Sequence, residues 1–146
     1  MKYSIVIPTY NHCDDLLKPC IDSILKYSTV TDIELIISAN GCKDNTKEYL
    51  SSLKEKFDFM GLAENIKIVW YDEPLGYARA CNVGIKAATT DYIVLLNNDT
   101  VMLQQERNRW LDMLAAPFQD SQCGVTGVVK QMSPEAGKEF LIFFCV

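Results

Sequence analysis

The sequence predicts an α/β fold in which helices cover both faces of an open, mostly parallel sheet. The first observation is alternation, because short apolar runs take turns with longer segments whose apolar residues recur every three or four positions. The second is the run YIVLL at 92–96, which is apolar throughout, as in a central strand covered on both faces. The third is a set of polar clusters directly after the strand-like runs, where parallel sheets bind ligands.

Six runs of strand length predict six strands. The runs are rich in β-branched and aromatic residues, as in IELII and IKIVWY, and Pro8 closes the first of them. Right-handed crossovers between such strands give a parallel sheet. The predicted strands span residues 3–7, 33–37, 66–71, 92–96, 123–130 and 140–146.

Four periodic segments predict helices between these strands. In the first, Leu17, Ile21 and Ile24 recur on one face. Asn45 is placed to cap the second helix, with Glu48 three residues on as its capping-box partner. The predicted helices span residues 14–27, 45–57, 77–88 and 103–115.

Composition narrows the class of protein. A chain of 146 residues with 49% hydrophobic content is long enough for one domain with its own core. The net charge of -5 argues against binding nucleic acid through its phosphates, which needs a basic surface. No run approaches the roughly 20 apolar residues that span a bilayer, and the start does not resemble a signal peptide. Six cysteines without a CxxC pair predict reduced thiols in a cytoplasmic protein.

Several familiar active sites are missing from the sequence. It contains no G-x-x-x-x-G-K-[ST] phosphate loop, and no G-x-G-x-x-G follows the first strand. His12 is the only histidine, and no G-x-S-x-G elbow is present, so a serine or cysteine triad is not expected. His12 is interpreted as a loop residue.

The polar cluster after the fourth strand is the sharpest functional signal. If the backbone stays extended, Asn97 and Asp99 point to the same side. Amide and carboxylate oxygens are the hard donors that Mg²⁺ or Mn²⁺ prefers, although one carboxylate would need phosphate oxygens to complete the shell. The alternative is an ordinary turn, since asparagine and aspartate are common turn residues.

Three weaker clusters lie at the same predicted edge. Tyr10 after the first strand could stack on a base, and Asn40-Gly41 after the second strand is a turn signal. Arg79 near the start of the third helix could reach a diphosphate, and Asn82 could bridge the loops. The alternatives are a proline-terminated strand, a simple turn, and a packing helix with a solvated arginine.

Taken in order, these segments resemble family 2 glycosyltransferases of the GT-A fold. The matching segments are SIVIPTYN at 4–11, ELIISANGCKDNT at 34–46, PLGYARACNVGIKAATTDYIVLLNNDT at 74–100 and GVTGVV at 124–129. The resemblance implies that Asp99 binds the metal, Mg²⁺ or Mn²⁺, in a D-x-D-like motif. It also implies a set of nucleotide-sugar-binding residues. They are Pro8, Thr9, Tyr10, Asn11, Asn40, Arg79, Asn82, Asn97 and Asn98.

Two departures from the family pattern limit what the resemblance implies. Ala39 stands where the family often carries a base-reading aspartate, which leaves UDP-, GDP- and dTDP-linked donors open. The family also continues into an acceptor-binding half with an acidic general base, which we expect beyond Val146, so no catalytic residue is assigned within this chain. Residues 1–146 are therefore expected to be a single domain, the truncated donor-binding portion of a longer glycosyltransferase domain.

The implied function is inverting transfer of a sugar from a nucleotide-diphosphate sugar to the hydroxyl of a saccharide, lipid or protein acceptor. One alternative is a non-catalytic nucleotide-binding α/β domain. A nucleotidyltransferase is less favoured, because that class usually has a glycine-rich loop with basic residues after its first strand. We expect a cytoplasmic protein, with peripheral membrane association of the full-length chain, and a homo-oligomer formed through the apolar strand 140–146.

Overall fold

A computed structural model describes residues 3–132 and 139–145 of the chain. It divides into two compact units, Met1–Gln104 and Gln105–Val146. The first unit holds the sheet and all the predicted site residues. The expectation of one domain over 1–146 stays a prediction.

The first unit is built on a four-stranded parallel sheet. Its strand order is β3-β2-β1-β4, and every neighbouring pair is parallel. The predicted open parallel α/β fold is confirmed, and the polar clusters do follow the carboxyl ends of the strands. The strands are β1 Tyr3–Thr9, β2 Ile33–Asn40, β3 Ile66–Tyr71 and β4 Tyr92–Leu95.

Three α-helices connect these strands: α1 Lys18–Tyr27, α2 Thr46–Phe59 and α3 Tyr77–Ala87. A π-helical turn, Cys13–Leu17, precedes α1, so the predicted helix over 14–27 is present but irregular at its start. The amide of Leu17 bonds to the His12 carbonyl, five residues back, at 3.1 Å. The wider turn ends at Leu17, two residues before Pro19, which has no N–H to continue an ordinary helical ladder.

The predicted capping of α2 by the side chain of Asn45 is wrong. Asn45 occupies the N-cap position, but its amide donates to Asp14 Oδ2 at 2.8 Å instead of capping the helix. Asp44 Oδ1 accepts from the Thr46 amide at 3.2 Å, and Asp44 Oδ2 accepts from the Cys13 amide at 2.9 Å. Asp44 therefore ties the start of α2 to the loop after β1, which a local sequence pattern does not show.

The core lies between the central strands and the helices. Every residue of β1 and β2 is buried. Helix α3 approaches the sheet closely at Gly84, where an added Cβ would lie 2.4 Å from Val6 Cγ1 and 2.6 Å from Ser38 Oγ. The small residues of α3 therefore let the helix pack closely against the sheet, which is one of the two interpretations proposed from the sequence.

The placement of β4 at the centre of the sheet is wrong for the residues that the structure describes. There β4 pairs with β1 alone, and Ile93 and Leu95 are 42% and 45% exposed. The apolar run therefore predicted the strand correctly but not the position of that strand within the sheet. The fourth predicted helix, 103–115, is also shorter, because α4 begins at Arg109 and ends at Ala115.

The second unit contains α4 and a hairpin of two antiparallel strands, β5 Thr126–Met132 and β6 Glu139–Cys145. The two predicted late strands are thus present as strands. They form a separate two-stranded sheet and not further parallel strands of the first one. Val146, the end of the predicted last strand, lies outside the described residues.

Cysteines and helix lengths bear on two further expectations. Cys13, Cys20, Cys42 and Cys81 are buried free thiols, as predicted, whereas Cys123 is disulfide-bonded, which contradicts the prediction for that residue.

Over residues 3–132 and 139–145, no helix combines the length and the apolar character that crossing a membrane requires.

Candidate functional site

A cavity of about 470 Å³ opens at the carboxyl edge of the parallel sheet. The loops after β1, β2, β3 and β4 all contribute to it, so residues far apart in sequence meet there. The lining residues are Pro8, Thr9, Tyr10, His12, Leu16, Asn40, Pro74, Gly76, Tyr77, Ala80, Asn97, Asn98 and Asp99.

The loop after β1 is held in an uncommon backbone conformation. Asn11 and His12 have φ values of 54° and 59°, in the left-handed region that residues other than glycine seldom adopt. Asn11 supports it, because its amide donates to Cys42 Sγ at 3.3 Å and its Oδ1 accepts from the Lys43 amide at 2.7 Å. This bracing leaves Tyr10 51% exposed beside the cavity.

The loop after β2 is clamped against the loop after β3. Asn40 Oδ1 accepts from the Leu75 amide at 2.5 Å, and the Gly41 amide donates to the Tyr71 carbonyl at 2.9 Å. Gly41 has φ of +76°, and an added Cβ would lie 2.7 Å from Pro74 N. Both its conformation and its close neighbour therefore require glycine. The clamp holds Asn40 in one orientation at the cavity.

The cluster after β4 is a turn. The Thr100 amide donates to the Asn97 carbonyl at 3.2 Å, so the backbone forms a turn here. The extended backbone considered from the sequence is therefore not what brings these residues together. Asn98 Nδ2 donates to Thr9 Oγ1 at 3.0 Å, and the Tyr77 hydroxyl donates to Asn97 Oδ1 at 2.8 Å. The residues of this cluster therefore form a turn and also line the cavity.

Burial and charge tune two groups around this turn. Burial raises the pKa of the Tyr77 hydroxyl, and its neighbours Cys81 and Asp99 raise it further, so Tyr77 stays a neutral donor. Burial also raises the pKa of the Cys20 thiol to about 12. That thiol contacts the Asn97 carbonyl at 3.8 Å. A neutral thiol of this kind supports the turn and is not a nucleophile.

The structure brings most of the predicted site residues to one place. Seven of the ten line the cavity: Pro8, Thr9, Tyr10, Asn40, Asn97, Asn98 and Asp99.

Asn11, Arg79 and Asn82 do not line it. Arg79 and Asn82 are both exposed, because they lie three residues apart on a face of α3 other than the one buried through Ala80, Cys81 and Gly84. Their ligand contacts remain predictions.

Sequence reasoning missed six lining residues. Tyr77 and Ala80 fall within the segment already singled out, but that segment was interpreted through Arg79 and Asn82 instead. The position of Tyr77 as the first residue of α3 is the signal that was available. His12 was interpreted as a loop residue, which it is, and its Nδ1 lies 2.9 Å from Asp15 Oδ2. The residues missed are His12, Leu16, Pro74, Gly76, Tyr77 and Ala80.

The donor set fits a divalent cation only with help from a ligand. Asp99 is the one carboxylate among the lining residues, and Asn97 and Asn98 add amide groups. Among the residues described, no three His, Cys, Asp or Glu side chains are grouped to hold a metal ion. These are hard oxygen donors of the kind that Mg²⁺ or Mn²⁺ takes, but the remaining ligands would have to be water or phosphate oxygens.

The family is established by comparison with known proteins. The chain matches the model of Glycosyl transferase family 2 over residues 4–141 and belongs to that family. It is 30% identical to the glycosyltransferase GlyG of Streptococcus pneumoniae serotype 4 over 99 residues, which are 68% of this chain and 30% of that protein.

Solved structures show the same fold. The chain is similar to S. aureus TarS 1-349 in complex with UDP-GlcNAc, with a TM-score of 0.62 and 23% identity over 83% of this chain and 32% of that one. It is also similar to the mannosyltransferase PcManGT from Pyrobaculum calidifontis in complex with GDP-Man and Mn²⁺. That match has a TM-score of 0.70 and 21% identity, and covers 89% of this chain and 36% of that one. The fold is that of the GT-A glycosyltransferases.

The chain is short relative to these proteins. It spans 30% of the length of GlyG and about a third of each of the two solved structures. What the comparisons define for this chain is therefore a family and a fold.

Proposed function

We propose that this chain is the donor-binding portion of an inverting glycosyltransferase, which holds a nucleotide-diphosphate sugar at the carboxyl edge of its sheet. One observation carries the proposal: loops after all four parallel strands line a single cavity of about 470 Å³. That volume falls in the range of small-molecule sites. TarS and PcManGT, which share the fold, are complexes with UDP-GlcNAc and GDP-Man respectively.

In this proposal, the divalent cation binds at the turn after β4. Asp99 is exposed at the cavity and is the only carboxylate among the described residues that line it, so it is the residue that would hold Mg²⁺ or Mn²⁺, with diphosphate oxygens completing the shell. Bound there, the cation would neutralise charge on the departing diphosphate. Asn98 is tied to Thr9, and Asn97 to Tyr77, so the turn that presents Asp99 is supported from two sides.

The remaining lining residues suit the nucleoside and sugar. Tyr10 offers an exposed aromatic face, and Pro8 and Pro74 offer apolar surface without competing donors. No residue of this chain is assigned as the catalytic base. The base that deprotonates the acceptor hydroxyl belongs, in this proposal, to a longer protein.

The test is calorimetric titration of the protein with UDP, GDP and dTDP, each with and without Mn²⁺. We expect binding of at least one nucleotide, strengthened at least tenfold by Mn²⁺. Asp99→Asn keeps the shape of the side chain and removes its charge, so it should abolish the Mn²⁺ enhancement while leaving metal-free binding unchanged. Asp112→Asn, an exposed aspartate on α4, is the matched control and should behave as the unchanged protein.

Two results would contradict the proposal. Absence of binding to all three nucleotides removes the donor site altogether. Mn²⁺-dependent binding that is unaffected in Asp99→Asn keeps the site but removes Asp99 from the metal.

Two further expectations are carried as part of the proposal. The first is a cytoplasmic location, with peripheral membrane association of a longer protein, which cell fractionation tests. The second is self-association through strand β6, whose sequence FLIFFC at 140–145 is apolar and which, among the described strands, pairs with β5 alone. Sedimentation over a hundredfold concentration range should show dimers, and a monomer at every concentration would exclude this.

A further inference from the structure

The thiol of Cys42 bonds to the backbone on both sides of Tyr10. Cys42 Sγ accepts from the Asn11 amide at 3.3 Å, and the thiol hydrogen is donated to the Thr9 carbonyl at 3.7 Å. Thr9 and Asn11 are the residues immediately before and after Tyr10 in the chain. A single side chain from the loop after β2 therefore holds the two peptide groups that flank Tyr10.

Two neighbouring hydrogen bonds continue this attachment. The Lys43 amide donates to Asn11 Oδ1 at 2.7 Å, and the Cys13 amide donates to Asp44 Oδ2 at 2.9 Å. Residues 42–44 thus meet the loop after β1 in order along its length. The loop after β2 therefore fixes the course of the loop after β1, and the thiol holds the part that follows the strand directly.

The backbone that the thiol supports is in an uncommon conformation. Asn11 and His12 have φ values of 54° and 59°, in the left-handed region, and such a conformation persists only where its surroundings fix it. The Tyr10 side chain emerges at this point and lines the cavity, whereas Cys42 is buried. Cys42 is not one of the described residues that line the cavity, so it acts there through the residue that it holds.

We infer that Cys42 is a positioning residue, which contributes to nucleotide binding by fixing Tyr10 at the cavity. The inference rests on the proposed donor site and deepens it. Each hydrogen bond of a thiol is weak, but both must break before the backbone around Tyr10 can move. An aromatic side chain that is already fixed loses less conformational freedom when a ligand binds against it, so the affinity is higher.

Two substitutions separate the hydrogen bonds of Cys42 from its volume. Cys42→Val fills a similar space and makes neither bond, whereas Cys42→Ser is smaller and keeps a group that both donates and accepts. Calorimetry uses whichever of UDP, GDP and dTDP the unchanged protein binds most tightly. Valine should weaken binding about fivefold to tenfold and serine by less than about twofold. The enhancement by Mn²⁺ should be the same in both variants, because Asp99 is unchanged.

A Tyr10→Ala background shows whether the effect passes through the tyrosine. There Cys42→Val should change the affinity by less than about twofold, because the side chain that the thiol positions has been removed. A general structural role of Cys42 would instead weaken binding by the same factor in both backgrounds. Leu53→Ala, at a buried residue of α2, controls for lost stability. It should lower the melting temperature and leave the affinity of the folded protein unchanged.

Hydrogen exchange at the Asn11 amide tests the contact without any nucleotide. The bond to Sγ slows exchange in the unchanged protein, so the rate measured by NMR should rise about tenfold in Cys42→Val and less in Cys42→Ser. The Gly41 amide, which donates to the Tyr71 carbonyl at 2.9 Å, is the internal reference and should not change. Equal Asn11 rates in all three proteins would show that the thiol does not hold this loop, which overturns the inference.

The outcomes separate the two proposals. If the unchanged protein binds none of the three nucleotides, the donor site fails, and the role of Cys42 in nucleotide binding fails with it. If the protein binds nucleotide but the valine and serine variants bind it equally well, the donor site stands and the role of Cys42 is overturned. The same conclusion follows if valine weakens binding equally with and without Tyr10.

Discussion

The Tyr77 hydroxyl donates a hydrogen bond to Asn97 Oδ1 at 2.8 Å, joining the first residue of α3 to the turn after β4. The two residues are twenty positions apart and both line the cavity. The bond therefore ties together two segments that line the same cavity.

The first prediction concerns this bond. Tyr77→Phe should weaken Mn²⁺-dependent nucleotide binding about threefold to tenfold, because Asn97 loses the partner that orients it. Tyr77 is 59% exposed, so the free energy of unfolding should change by less than about 0.5 kcal/mol. Calorimetry on Tyr77→Phe, Asn97→Leu and the double variant measures the coupling between the two residues. Strictly additive effects would show that the bond contributes nothing to binding.

The second prediction concerns the Asn98 bond to Thr9 Oγ1 at 3.0 Å. Thr9 is 3% exposed, so Thr9→Val should cost about 1 kcal/mol in the free energy of unfolding and leave Asn98 without its partner. Thr9→Ser keeps the hydroxyl and serves as the matched control. Urea denaturation followed by circular dichroism compares the two variants. Equal stability of the valine and serine variants would mean that the hydroxyl is not the part of Thr9 that matters.

The third prediction concerns the close approach of α3 to the sheet. Gly84→Ala places a methyl group 2.4 Å from Val6 Cγ1 and 2.6 Å from Ser38 Oγ, so the helix must shift outward. Such overpacking costs about 1–3 kcal/mol. Gly124→Ala, which meets no atom within 4 Å, should change stability little. Equilibrium unfolding in urea measures both, and a Gly84→Ala protein as stable as its control would show that α3 packs less tightly than these distances state.

The fourth prediction concerns pH and a buried carboxylate at the opposite edge of the sheet. Burial raises the pKa of Glu34, but the ion pair with Lys67 and hydrogen bonds from Ser4 and Thr89 outweigh it and lower the pKa to about 2 from 4.5. A carboxyl whose pKa is lower in the folded protein than in the unfolded chain stabilises the fold at pH values above its unfolded pKa. That contribution, about 3 kcal/mol, is lost as the pH falls from 4.5 toward 2.

Glu34→Gln tests this assignment, because the amide does not titrate. Urea denaturation of the two proteins between pH 7 and pH 3 should show that the stability of the unchanged protein falls more steeply below pH 4.5. Parallel curves for the two proteins would place the acid sensitivity in other carboxyls.

Much of the site was predictable because it depends on chain order and on a general property of parallel sheets. Thr9, Tyr10, Asn40 and Asp99 each follow a recognisable strand, and strands that run the same way deliver their ends to one edge. Resemblance to the family then selected residues within those loops. Arg79 was predicted from its charge and from the resemblance; it lies on a face of α3 other than the one buried through Ala80 and Gly84, and its contact with a ligand stays a prediction.

The amino-acid sequence by itself determined the alternation of strands and helices, the parallel sheet of the first unit and the polar loops at its edge. These follow from local periodicity and from the right-handed crossover, which act over a few tens of residues. Only the tertiary structure decided that β4 lies at the edge of the sheet that the described residues form, that Asp44 ties α2 to the loop after β1, and that Asn40 Oδ1 accepts from the Leu75 amide. Each of these features depends on a contact between residues that are far apart in the sequence. No local sequence pattern predicts such a contact.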